Sequence, residues 1–179
     1  MAAEFRARAD DPAMIDAATF PALARQVGIL LRERGLTIAL AESSLGGLMS
    51  SWLTSIPGSS AFFRGSVVAY DNAAKVKLLG VSAESLAAFG AVSEAVAAEM
   101  ATGVRLAFEA DLALAETGIT GPSGATGSKP LGLFYLAFAT ARGVTVSQHR
   151  LAGDRLKIRH QAGLAALEWL SHYLLHPPL

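Results

Sequence analysis

The segments DLALAE at residues 111–116 and LFYLAFAT at residues 133–140 decide the fold of this chain. DLALAE is apolar on both faces, which is typical of an inner strand of a sheet that helices cover on each side. LFYLAFAT is the most apolar strand candidate in the sequence. The glycine-rich segment between them, residues 118–132, is too long for a simple connection and is therefore a candidate functional loop.

Helices and strands alternate around these two segments. TIALAE (37–42) and GSVVAY (65–70) predict two further strands, and residues 144–151 alternate as a half-exposed strand does. Helices are predicted from Thr19, over 46–55, over 72–79, over 82–89, and after the capping residues Ser93 and Asp154. This order predicts an α/β fold. We expect a three-layer α/β/α domain with a mixed, mostly parallel sheet over residues 19–179, preceded by a loose tail over residues 1–18.

The composition supports one compact domain and excludes several classes of function. The 179 residues are 52% hydrophobic, and 15 Lys and Arg balance 15 Asp and Glu, which argues against a nucleic-acid partner. Cysteine is absent and the four histidines lack metal-ligand spacing, so we expect neither a metal nor a cofactor. Residues 43–63 form the longest uncharged stretch and are too polar to span a membrane. Residues 1–11 lack the apolar core of a secretory signal, so we expect a cytoplasmic protein.

The loop AESSLGG, residues 41–47, places two hydroxyls and two glycines where a predicted strand passes into a helix. Ligands of α/β folds collect at such strand ends, and the backbone N–H groups there can hold a phosphate or stabilise an oxyanion. The alternative is an ordinary serine cap with glycines for close packing, and the loop alone favours that alternative.

Tyr70 and Lys75 are the next candidates, because one ends a predicted strand and the other lies in the first turns of a helix. A lysine buried among apolar walls loses its proton more easily, and a neutral lysine can accept the proton of a serine hydroxyl. A nearby tyrosine can orient or relay that proton. The alternative is that Lys75 is a solvated helix residue like Lys77, and spacing alone favours it.

Two further segments carry weaker signals. The hydroxyl-rich loop of residues 118–132 can wrap a ribose or a phosphate, but it matches neither a Walker A motif nor GxGxxG. A flexible surface loop is the alternative. Arg155 follows the capping residue Asp154 and either reaches an anion or is simply exposed.

Taken together, these segments resemble the CinA C-terminal domain family, also called the competence/damage-inducible family, whose enzymes are nicotinamide mononucleotide deamidases. The resemblance covers roughly residues 23–174, and the ordered set of segments is specific although no single motif is diagnostic. The matching segments are AESSLGG (41–47), PGSSAFFRGSVVAYDNAAKVKLLGV (57–81), GAVSEAVAAEMATG (90–103), TGITGP (117–122), KPLG (129–132) and GDR (153–155).

The resemblance implies metal-independent hydrolysis of the carboxamide of nicotinamide mononucleotide, which yields nicotinic acid mononucleotide and ammonia in pyridine nucleotide recycling. It implies that Ser60, Tyr70 and Lys75 are catalytic, although a serine pair after Pro-Gly is usually only a turn. In this mechanism neutral Lys75 accepts the proton of Ser60, which attacks the amide. The implied substrate-binding residues are Ser43, Ser44, Gly46, Gly47, Asn72, Thr117, Gly118, Gly121 and Arg155.

The chain departs from the family pattern in three places. One is the loop of residues 118–132, where Ser123 and Ala125 differ from the common Gly/Asp-rich pattern. The family usually reads AESCTGG, and this chain has Ser44 and Leu45 in place of the cysteine and threonine. The family also usually has an acidic residue before the lysine, where this chain has Ala73 and Ala74 before Lys75. These departures leave open a related amidase with another substrate. The alternative from a different functional class is a non-catalytic family member that binds a nucleotide or a protein.

Two expectations concern assembly. Many members carry an additional N-terminal domain that resembles molybdopterin-binding proteins, and we do not expect it in a chain of this length. We expect a homo-oligomer, because the composition leaves abundant apolar surface to cover.

Overall fold

The computed structural model describes residues 19–177, and the predicted tail, residues 1–18, lies outside them. The helices and strands follow the predicted order, and a short 3-10 turn at Ser59–Ala61 precedes the second strand. The elements are α1 (Thr19–Glu33), β1 (Ile38–Glu42), α2 (Leu48–Thr54), β2 (Phe63–Val68), α3 (Asn72–Leu79), α4 (Ala83–Phe89), α5 (Glu94–Ala107), β3 (Leu112–Gly118), β4 (Leu133–Thr140), β5 (Gly143–Arg150) and α6 (Arg155–Leu175).

The five strands form one mixed sheet in the order β2-β1-β3-β4-β5. β1 is parallel to both β2 and β3, whereas β4 is antiparallel to β3 and to β5. β5 therefore points the same way as β1, β2 and β3, and only β4 is reversed. The predicted mixed, mostly parallel sheet with helices on both faces is confirmed.

Large and small side chains alternate along the two central strands, and this alternation gives the sheet two different faces. Leu40 and Leu114 pack in the core that contains α1, α2 and α6, whereas Ala41 and Ala115 pack in the core of α5. The register pairs Leu40 with Leu114 and Ala41 with Ala115, so like residues lie side by side. Because alanine is short, α5 approaches its face of the sheet closely.

The ends of β1, β2, β3 and β5 lie along one edge of the sheet, since these strands share a direction. The loops that follow them, residues 43–47, 69–71, 119–132 and 151–154, therefore meet there. This is the edge at which α/β folds bind ligands. Among residues 19–177, no helix combines the length and the apolar character that crossing a bilayer requires.

Gly103 sets the distance between α5 and α3. A Cβ atom at this position would lie 1.8 Å from the backbone oxygen of Leu79, so only glycine permits the contact. This contact bears on the edge of the sheet where the four loops meet, because α3 carries Lys75.

We predict that Gly103→Ala destabilises the fold by about 1–3 kcal/mol through overpacking, measured as the free energy of unfolding in urea. The sign of the change in the free energy of unfolding is informative, because replacing glycine by alanine in a helix interior otherwise stabilises a protein by about 1 kcal/mol. Gly127→Ala is the matched control, since a Cβ there meets nothing within 4 Å. A stabilising Gly103→Ala would contradict the packing described.

Candidate active site

Lys75 lies beside the ends of β1 and β2 and is buried, whereas Lys77 is exposed. Its side chain is 1% exposed. The Nζ atom lies 2.9 Å from Ser43 Oγ, 2.8 Å from the carbonyl oxygen of Ala69 and 3.3 Å from that of Tyr70. Carbonyl oxygens only accept hydrogen bonds, so Lys75 donates to both of them and its third position faces the Ser43 hydroxyl.

The local backbone explains why this lysine points inward. Asp71 caps α3 by accepting a hydrogen bond from the N–H of Ala74 at 2.7 Å, which starts the helix directly after β2. Lys75 then lies one turn into α3 and folds back over the end of β2. The N–H of Ala69 donates to the carbonyl of Glu42 at 2.8 Å, which brings the end of β2 beside Ser43.

Burial lowers the pKa of Lys75 below its ordinary value of 10.5, because an ammonium ion loses its hydration there. The negative charges of Glu116 and Asp71 act in the opposite direction and are smaller effects. The neutral form of the Lys75 amine is therefore reached at a lower pH than the neutral form of an exposed lysine.

Two buried glutamates organise the loop that carries Ser43. Glu42 accepts hydrogen bonds from the N–H groups of Gly47 (2.9 Å), Met49 (3.2 Å) and Ser50 (2.9 Å), and from the Ser50 hydroxyl (2.5 Å). This carboxylate satisfies the first N–H groups of α2. The Gly47 N–H is therefore not available to a phosphate or an oxyanion, contrary to the sequence-based expectation for this loop.

Glu116 holds the other side of the loop. Its Oε1 accepts from the N–H of Ser43 at 2.5 Å and of Leu45 at 2.8 Å, and its Oε2 lies 2.8 Å from Ser44 Oγ. Burial raises the pKa of Glu116 to about 7 and the charge of Glu42 adds to the shift, although the three hydrogen bonds oppose it. Sequence reasoning missed Glu116, and the available signal was an acidic residue at the end of an otherwise apolar strand.

Two N–H groups of the loop remain free. Within residues 19–177, the backbone N–H groups of Ser44 and Gly46 have no hydrogen-bond acceptor. Gly46 has φ +62° and is exposed, so its backbone is accessible to a ligand. These two groups are the available oxyanion donors beside Ser43.

Arg155 joins three of the converging loops. Its Nη1 donates to Thr120 Oγ1 at 2.7 Å and to the carbonyl of Gly121 at 2.8 Å, and its Nη2 donates to the Tyr70 phenol at 3.3 Å. Arg155 is exposed and has no acidic partner among residues 19–177, so no carboxylate of these residues neutralises its positive charge. The Tyr70 side chain is 66% exposed and approaches Lys75 only through its backbone carbonyl.

The structure does not bring Ser60 to Lys75. Ser60 is exposed in the turn before β2, whereas Tyr70 and Lys75 follow the other end of that strand. Six strand residues separate the two ends by about 20 Å. Ser43 occupies the position beside the lysine that the resemblance implied for Ser60.

The remaining predicted substrate-binding residues have different surroundings. The Thr117 hydroxyl is buried and donates to the carbonyl of Ala91 at 2.8 Å, so it ties β3 to the start of α5. A Cβ at Gly118 would lie 2.4 Å from the Phe134 ring, so this glycine serves packing. Gly121 is buried beneath Arg155, and Asn72 is exposed at the first residue of α3.

Comparison with known proteins places this arrangement in context. Residues 21–174 match the family model described as the CinA C-terminal domain. The chain is 49% identical over 152 residues to a CinA-like protein of Syntrophotalea carbinolica and 50% identical over 149 residues to one of Geobacter sulfurreducens. The matches cover 85% and 83% of this chain but 37% and 36% of the relatives. The chain thus spans little more than a third of the length of these curated relatives.

Solved structures agree over most of the chain. The crystal structure of the competence/damage inducible protein CihA from Agrobacterium tumefaciens is 40% identical with a TM-score of 0.84, covering 88% of this chain and 96% of that chain. A CinA superfamily protein from Klebsiella pneumoniae is 33% identical with a TM-score of 0.85, covering 88% and 98%. Both share the fold described above.

We predict that Lys75 titrates below 10.5 in the folded protein, because burial disfavours its charged form. Lysine labelled with ¹³C and followed at Cε by NMR gives the midpoint, and Lys75→Met identifies the signal by its loss. A midpoint at or above 10.5 would show that the amine is not desolvated.

Proposed function

The chain belongs to the CinA C-terminal domain family, and on this basis we propose that it hydrolyses the carboxamide of nicotinamide mononucleotide with Ser43 as the nucleophile. The products are nicotinic acid mononucleotide and ammonia. The observation that carries the proposal is the buried Lys75 Nζ at 2.9 Å from Ser43 Oγ. A serine beside a neutral lysine is an arrangement that activates the hydroxyl for attack on an amide.

The hydrogen bonds of Lys75 suit the role of general base. A neutral amine has two N–H groups, and the carbonyls of Ala69 and Tyr70 accept both of them. The nitrogen lone pair then faces Ser43 and accepts its hydroxyl proton. The pair of carbonyls therefore orients the lone pair as well as the side chain.

The reaction follows in two halves. Ser43 Oγ transfers its proton to Lys75 and forms a bond to the amide carbon, whose oxygen becomes an oxyanion near the N–H groups of Ser44 and Gly46. Lys75 returns the proton to the nitrogen, ammonia leaves and an acyl-Ser43 ester remains. Water then gives a proton to Lys75 and its oxygen attacks the ester. The ester C–O bond breaks, and the proton returns to Ser43 Oγ. The pyridinium charge of the substrate makes the carbon electrophilic, so the protein mainly positions groups and stabilises charge.

Arg155 is the group we propose for the substrate phosphate. Its guanidinium is oriented by Thr120 and Gly121, and no carboxylate of residues 19–177 neutralises it. A planar, oriented guanidinium is suited to bidentate phosphate recognition. Tyr70 is then a positioning residue, because its phenol accepts a hydrogen bond from the same Arg155 guanidinium. It is not a proton relay to Lys75.

The departures from the family pattern are compatible with this substrate. Leu45 is fully buried in the core with α1, α2 and α6, so its bulk does not enter the cleft. Ser44 directs its hydroxyl to Glu116 and the carbonyl of Gly118. Ala73 is exposed on α3, away from the buried face that carries Lys75.

The homo-oligomer expected from the composition stays a prediction, which light scattering coupled to size-exclusion chromatography tests.

We predict that Ser43→Ala lowers ammonia release from nicotinamide mononucleotide about 10³-fold or more, because it removes the nucleophile. Lys75→Met lowers the rate about 10²- to 10⁴-fold, because it removes the base while filling the same space. Ser60→Ala is the matched control and keeps the wild-type rate.

Three results would redirect the assignment. An inactive Ser60→Ala with an active Ser43→Ala would return the nucleophile to Ser60. Absence of ammonia release by concentrated wild-type protein would favour the non-catalytic binding alternative. Release from another amide alone would favour a related amidase.

We predict that Arg155→Ala raises KM for nicotinamide mononucleotide about 10- to 100-fold, the cost of one charge-assisted hydrogen-bonded contact. Arg155→Lys restores only part of the affinity, because an ammonium cannot bond two phosphate oxygens in the same plane. Lys157→Ala, an exposed cation in the same helical turn, is the control and leaves KM unchanged. Equal effects of Arg155→Ala and Lys157→Ala would show a general charge effect instead.

A further inference from the structure

Two buried carboxyl groups lie side by side beneath the loop that carries Ser43. β1 and β3 are in register up to Ala41 and Ala115, and Glu42 and Glu116 follow at the next position of each strand. Both side chains are 0% exposed. Two negative charges in such a place repel one another without solvent to screen them, so a proton on one of the two carboxyl groups relieves the repulsion.

The hydrogen bonds indicate which carboxyl holds that proton. Glu42 accepts four hydrogen bonds, three of them from backbone N–H groups, and both of its oxygens are occupied by donors. Glu116 Oε1 accepts two backbone N–H groups, but its Oε2 faces only the Ser44 hydroxyl. Glu42 is therefore arranged as an acceptor throughout, whereas Glu116 has one oxygen free to carry a proton.

The surroundings of Ser44 support the same assignment. Its Oγ lies 2.8 Å from Glu116 Oε2 and 3.1 Å from the carbonyl oxygen of Gly118. A hydroxyl has one proton and cannot donate fully to two acceptors. If Glu116 Oε2 carries a proton and donates it to Ser44 Oγ, the Ser44 hydroxyl is free to donate to Gly118. Both contacts are then satisfied.

We propose that Glu116 is a positioning residue that works as the neutral acid, with its proton on Oε2 and donated to Ser44 Oγ. In this form it holds the backbone of Ser43 and Leu45 without placing a negative charge beside the nucleophile. The protonation of Glu116 stands independently of the substrate, whereas its effect on rate rests on the proposed function.

The charged groups around Glu116 determine what its ionisation does. Glu42 faces it from β1 and Lys75 from α3, Asp71 lies before α3, and Arg159 of α6 reaches the neighbouring loop by donating to the carbonyl of Leu45. Ionised Glu116 attracts a proton to Lys75 and raises its pKa, which removes the base. It also opposes the oxyanion that forms beside Ser43. Both effects lower the rate. The pKa of Glu116, raised to about 7 by burial, places this ionisation near neutral pH.

Glu116→Gln tests the proposal because glutamine copies the neutral acid. Its carbonyl oxygen accepts from Ser43 and Leu45, and its amide N–H donates to Ser44 Oγ. We expect kcat/KM of the wild type to fall on the alkaline side as Glu116 ionises, and Glu116→Gln to lack this fall. The ratio of variant to wild type then rises by about tenfold for each pH unit above the Glu116 pKa.

The matched control is Glu99→Gln. The Glu99 carboxylate is partly buried and accepts from the N–H of Ser82 at 2.9 Å and the hydroxyl of Ser85 at 2.5 Å, on α5 and away from Ser43. We expect Glu99→Gln to keep the alkaline fall in kcat/KM of the wild type. Two results would overturn the proposal. If Glu116→Gln shows the same alkaline fall as the wild type, the ionisation of Glu116 does not cause that fall. If Glu116→Gln is folded but inactive at every pH, the working form of Glu116 is the carboxylate.

A second measurement does not depend on activity. A carboxyl whose pKa rises from 4.5 to about 7 on folding stabilises the fold below 4.5, and this contribution is lost as the pH rises towards 7. Between about pH 4.5 and pH 7 the thermal midpoint of the wild type therefore falls relative to that of Glu116→Gln, while Glu99→Gln follows the wild type. Lys75 is common to all three proteins.

The two measurements separate the two proposals. Parallel midpoints of wild type and Glu116→Gln across this range would overturn the protonation of Glu116 even if ammonia release is observed. A diverging midpoint without any ammonia release would support the protonated Glu116 and reject the deamidase function.

Discussion

Burial of the Lys75 amine is the constraint on which the rest of the site depends. An ammonium ion removed from water costs several kcal/mol unless acceptors surround it, and a lysine in such a place moves toward its neutral form. The fold supplies two carbonyls and one hydroxyl to this nitrogen. The two carbonyls fix where the N–H groups point, so the lone pair of the neutral amine is left for Ser43. The same burial that disfavours the charge thus orients Lys75 for its proposed role as the base.

The architecture of the sheet makes that burial possible. The alanine face of β1 and β3 admits α5 closely, and Gly103 lets α5 touch the backbone of α3. α3 is therefore held against the end of β2, where Lys75 Nζ reaches Ser43 and the carbonyl of Ala69. On the opposite face, larger residues from α1, α2 and α6 fill the core. The two faces serve different purposes, since one builds stability and the other brings a helix close enough to bury a lysine.

Much of the fold was predictable because hydrophobic alternation and capping residues are local signals. The strands TIALAE and DLALAE, and the caps at Ser93 and Asp154, act within a few residues. The site was less predictable because its contacts join distant segments: Glu116 lies 73 residues from Ser43. Ser60 was placed with Lys75 on resemblance, although it precedes a strand, and in a parallel sheet only residues that follow strands reach the ligand edge.

The departures at residues 44 and 45 make physical sense once Glu116 is included. A buried carboxyl needs a partner for each oxygen, and an unsatisfied one costs about 1–3 kcal/mol. The Ser44 hydroxyl both donates and accepts at full strength, whereas the cysteine of the usual family pattern offers only a weak thiol. Ser44 and Glu116 are therefore best understood as one unit that holds the Ser43 backbone from below. Leu45, whose N–H donates to the same carboxyl, anchors that unit in the core, so the changed residues support the backbone of Ser43, the proposed nucleophile.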